Sequence, residues 1–74
     1  MRQEAIYRFM ELPTVVQCQI GEDLECLSYE ETCKVDTMTN VDLCKTILTR
    51  VQSKGLEEQL WKRTQEEHQK LRLR

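Results

Sequence analysis

Seventy-four residues with a formal net charge of −2 and a pI near 5.4 make one small domain, and a chain with that balance is not built to neutralise phosphates, so nucleic acid is not an expected partner. With 39% hydrophobic and 32% charged residues, two Gly and one Pro, the composition excludes a disordered tail and a turn-rich β fold and favours a compact all-α bundle. A chain of this length buries only about 60% of its unfolded surface, so a single economical core has to hold it together.

Ala5, Ile6, Phe9 and Met10, closed by Leu12, share one face of a first short helix that Pro13 ends. Thr14 is placed to cap a second helix, with Gln17 three positions on to complete a capping box. Val16, Ile20, Leu24 and Leu27 then align, predicting that this helix runs to about residue 27. Gly21 inside it costs on the order of 1 kcal/mol relative to Ala, which implies close approach of another helix backbone. Ser28 and Glu31 repeat the capping-box spacing and predict a short third helix over 29–34 that carries Tyr29 and Cys33. Residues 35–39 lack a helical period and read as a loop in which Val35 or Met38 plugs the core.

The stretch 40–61 organises the chain. After a cap at Thr39 or Asn40, the residues Leu43, Cys44, Ile47, Leu48 and Val51 fall on one face of an amphipathic helix. Lys54 and Gly55 mark its end, a cation near the carbonyl terminus followed by a residue that tolerates a left-handed conformation. A fifth helix begins near Leu56, continues the apolar stripe through Leu60 and Trp61, and is supported further on by the four-residue pairs Glu58 with Lys62 and Glu66 with Lys70. Residues 71–74 are expected to fray or to begin a linker. Trp61 reads as core in preference to a partner-binding anchor.

Catalytic chemistry is hard to place. His68 is the single histidine and sits in a polar run, where a solvated surface residue is the better reading than a general base. Cys18, Cys26, Cys33 and Cys44 lack the close pairing of a zinc knuckle and read as thiols that act as small apolar residues, so neither a metal nor another cofactor is expected. Charges at Arg2, Glu4, Arg8 and Glu11 interrupt the start of the chain, which does not read as a signal peptide, and no run is long enough to span a bilayer. A cytosolic chain with reduced thiols and no membrane partner follows.

The charges segregate along the sequence. Glu22, Asp23, Glu25, Glu30 and Glu31 cluster across the second and third helices, whereas Lys45, Arg50 and Lys54 lie on the fourth and Arg8 on the first. A solvated coat accounts for this pattern, and so does association in which the acidic surface of one copy meets the basic surface of another, provided that the two lie on opposite faces.

The segments Phe9-Met10-Glu11-Leu12-Pro13 and Ile20-Gly21-Glu22-Asp23-Leu24 resemble the effector-associated domains of bacteria, members of the death-like superfamily of helical adaptors. So do Asp42-Leu43 with Ile47 and Arg50-Val51, and Gly55 with Leu60-Trp61. The likeness covers most of 5–61 and rests on core and corner residues. It implies a bundle of five to six short helices, often six in that superfamily where five are read here. It also implies a non-catalytic adaptor of bacterial antiviral conflict systems that recruits a fused or separate effector by pairing with a similar domain or with itself. The alternative from another class is a small helical dimeric regulator that binds nucleic acid or a ligand, against which the acidic balance weighs.

Overall fold

The computed structural model describes residues 2–72. Five α-helices form, α1 (Gln3–Met10), α2 (Thr14–Asp23), α3 (Tyr29–Cys33), α4 (Asn40–Lys54) and α5 (Glu57–Arg72), with a single 3₁₀ turn at Val35–Thr37 and no strand among the described residues. The all-α bundle read from the sequence is therefore the observed architecture. None of these helices is long and apolar enough to cross a membrane.

α4 is the central element because its apolar stripe is complete: Leu43, Cys44, Ile47, Leu48 and Val51 are all buried. Thr39 caps it by accepting a hydrogen bond from the Asp42 N–H at 3.1 Å, and Gly55 ends it at φ 68°. The Leu56 N–H then reaches the Val51 carbonyl and the Gly55 N–H the Gln52 carbonyl, which is the Schellman pattern. α1 and α2 pack on α4, and α5 returns across α1, α2 and α4 to close the core on Leu60. Phe9, Ile20, Ile47, Val51 and Leu60 are fully shielded, each worth roughly 1.5–3 kcal/mol relative to exposure. The radius of gyration, 11.5 Å, matches the about 11 Å expected of one compact core of this length.

Several expectations are corrected. α2 stops at Asp23, not near 27, because the backbone turns left-handed at Glu25 (φ 57°). The Cys26 N–H bonds the Gly21 carbonyl and the Glu25 N–H the Glu22 carbonyl, so α2 also ends in a Schellman motif, with Glu where glycine is usual. Thr14 does not cap α2. Pro13 precedes the helix without a side-chain cap, and Gln17, instead of reaching back to Thr14, is wholly buried. The neighbours of Gly21 are side chains, not a helix backbone: an added methyl group would lie 2.8 Å from Leu27 Cδ1 and 3.0 Å from Ile47 Cδ1. Part of the predicted 35–39 loop is the 3₁₀ turn, and Val35 and Met38 are both half-buried against the core. Leu71 and Arg72 complete α5, and the rest of the predicted frayed end, 73–74, lies outside the described residues. Trp61 is half-buried on the wall of a cleft with Arg2, Ala5, Glu57 and Glu58, and so is only partly core.

Candidate interaction surface

The capping box at α3 forms as its sequence requires. Ser28 Oγ accepts from the Glu31 N–H at 3.2 Å, and Glu31 Oε1 accepts from the Ser28 N–H at 3.0 Å. This fixes the Glu31 carboxylate at the edge of α4, where Arg50 Nη1 donates to it and also to the Cys26 carbonyl at 3.1 Å. The Arg50 hydrogen bond, then the backbone donor at Ser28, holds the Glu31 carboxyl well below its ordinary 4.5, at about 2. One turn further along α4, Lys54 Nζ donates to the Glu25 carbonyl. Two cations of α4 are thus committed to the turn that leaves α2.

This arrangement overturns the idea that the acidic and basic surfaces lie on opposite faces. Glu22, Glu25, Glu30, Glu31, Arg50 and Lys54 line one open groove. The reason is the left-handed turn at Glu25, which reverses the chain and lays α3 beside the C-terminal half of α4. Asp23 does not line the groove and pairs with Arg63 of α5 at 3.0 Å, while Arg8, also outside it, pairs with Glu11 at 3.4 Å at the end of α1. Lys45 lies in a neighbouring depression with Asp42, Thr46 and Thr49 that meets the first groove at Arg50. Among the described residues Glu22, Glu25, Glu30 and Lys45 enter no ion pair.

Two polar residues matter more to the bundle than their sequence setting indicates. Gln17 Nε2 donates to the carbonyls of Phe9 at 3.0 Å and Met10 at 3.3 Å, which satisfies the exposed end of α1 from inside the core. The signal for this was present, since Gln17, Ile20, Gly21 and Leu24 share one helical stripe. His68, read as solvated, is half-buried with Nε2 2.7 Å from the Arg8 carbonyl, so that α5 is tied to the same end of α1.

The four cysteines are free thiols. Burial pushes the thiols of Cys18, Cys26 and Cys44 up, which keeps them protonated and poorly nucleophilic. Among the described residues no group of three or more His, Cys, Asp and Glu gathers as a metal site. Comparison of the chain with protein families, with curated proteins and with solved structures finds no match.

Proposed function

We propose that this bundle is a non-catalytic interaction module that pairs with a second copy or with a cognate death-like domain, and so brings a fused or separate effector to its target, in a setting of the bacterial conflict type. The observation that carries this reading is the state of the groove beside α4. Three of its carboxylates, Glu22, Glu25 and Glu30, have exposed side chains and no cation partner among the described residues, although two cations stand in the same groove. Those cations are held by the turn carbonyls and by Glu31. The acids therefore face outward for cations of another molecule, and Lys45, exposed and without an ion pair among the described residues, offers the complementary charge.

Contacts of this kind act within about 8 Å at roughly 0.15 M salt, so each is weak, salt-sensitive and directed more to partner choice than to affinity. Arrays or fused partners supply avidity. The test is sedimentation of the pure chain, and pull-down against a cognate domain, at low and high salt. Reversing Glu22 and Glu30 together to Lys weakens association without altering helicity, and Lys45→Glu on the partner restores part of it. Association indifferent to both salt and reversal would place the contact on exposed apolar side chains such as Tyr7 and Tyr29, and the charge-led reading would fall.

A further inference from the structure

No residue from 28 to 42 is buried, although Leu27 before it and Leu43 after it both are. This segment crosses the seam between α2 and α4. On one side Thr32, Val35 and Asp36 border a groove with Val15, Cys18 and Glu22 of α2. On the other, Thr37 and Met38 border a depression with Asp42, Lys45 and Thr46 of α4. Its hydrogen bonds are almost all internal: Thr32 N–H to Ser28, Lys34 N–H to Glu31, Thr37 N–H to Lys34 and Met38 N–H to Val35. What ties it to the bundle is two half-buried apolar plugs, Val35 and Met38, and one ion pair, Arg50 with Glu31.

We infer that residues 28–38 form a strap that opens as a unit from the α2–α4 seam while α1, α2, α4 and α5 stay packed, with the Arg50–Glu31 pair as its latch. Local stability follows buried apolar contacts, and this segment has no fully buried residue and only two half-buried apolar ones, whereas its own capping box and turn bonds let it move without losing internal order. Both ends suit such motion. The strap begins just beyond the Schellman turn at Glu25 and ends at the Thr39 cap, which belongs to α4 and stays with it. Opening uncovers the α2 side of the seam at Cys18, a half-buried thiol that serves as a built-in reporter, and leaves Cys44 within the core.

Amide hydrogen exchange resolved by residue tests this on the full chain. The amides of Thr32, Lys34, Thr37 and Met38 exchange together and ahead of those of Ile47 and Leu48. Glu31→Gln, which retains the capping box but loses the ion pair, speeds the strap amides by about two- to fivefold, the loss expected for one partly exposed pair, and leaves the α4 amides unchanged. Raised salt on the wild-type chain acts in the same direction without any substitution. Alkylation of Cys18 quickens in parallel, and that of Cys44 does not. Strap and α4 amides exchanging at one common rate, or a strap rate untouched by both Glu31→Gln and salt, would overturn the inference.

Discussion

The Nε2 atom of His68 on α5 lies 2.7 Å from the main-chain carbonyl of Arg8 in the last turn of α1, sixty residues away in sequence. The Arg8 carbonyl would otherwise end its helix without a donor, because the Leu12 N–H turns instead to Phe9. Gln17 serves the next two carbonyls. Replacing His68 with Leu keeps apolar bulk but withdraws the donor, and is expected to cost about 1 kcal/mol in urea unfolding; Gln17→Leu, which removes the donor to the Met10 carbonyl and the second donor to that of Phe9, is expected to cost about 1–3 kcal/mol. Unchanged midpoints for both would show that water satisfies the end of α1 equally well.

The two Schellman turns give a pair of predictions of opposite sign. Gly55 has open space around it, so Gly55→Ala meets no clash, and its cost of about 1 kcal/mol comes from the left-handed backbone alone. Glu25 holds the same conformation with a side chain, and Glu25→Gly is expected to stabilise by roughly 0.5–1 kcal/mol. In a domain of this size each change moves the melting temperature by about 4–8 °C per kcal/mol, in opposite directions.

Glu31 contributes a pH dependence whose sign is fixed by its environment. Its folded value, about 2, lies below the ordinary 4.5, so its stabilisation is complete above about pH 4.5 and is lost as the pH falls through the folded value. Arg50 is 41% exposed, and solvent screening limits the whole contribution to about 1 kcal/mol or less. The stability difference between wild type and Glu31→Gln, followed by urea unfolding, should shrink between pH 4.5 and 2. A difference that stays flat over that range would remove the ion pair from the account.

Core substitutions should separate by burial. Ile47 is fully shielded at the centre of α4, and Ile47→Ala is expected to cost about 2–5 kcal/mol. Leu24, which aligns with Ile20 on the apolar face of α2, is only half-buried just past its end. Leu24→Ala should therefore cost about half as much, because less apolar surface returns to water. Equal losses measured by thermal unfolding would mean that Leu24 packs more deeply than its exposure indicates.

α4 was legible in the sequence because three independent signals coincide there: a complete apolar stripe, a Thr cap and a terminal glycine. The end of α2 was not, because Leu24 and Leu27 continue the helical period through a residue type that rarely turns left-handed. That one turn decides where Glu31 goes, and with it whether the acidic and basic clusters meet. The Arg50–Glu31 contact spans nineteen positions and has no local sequence signature. His68 was misread because it answers a carbonyl exposed by a different helix, a need that no periodicity within its own helix marks, whereas Gln17 does share the inward stripe of α2 and only its partners on α1 lack a local signature.

Gly21 has a consequence for how chains with this fold can diverge. Its missing side chain is filled by Leu27, just beyond the Glu25 turn, and by Ile47 of α4, which reach within 3.0 Å of where a methyl group would stand. The three positions therefore share one volume, and the helix penalty at residue 21 is exchanged for two large branched neighbours in the core. Relatives that carry Ala at 21 should be found with a smaller residue at 27 or 47, so that co-variation among these three sites would identify the fold where overall identity has faded.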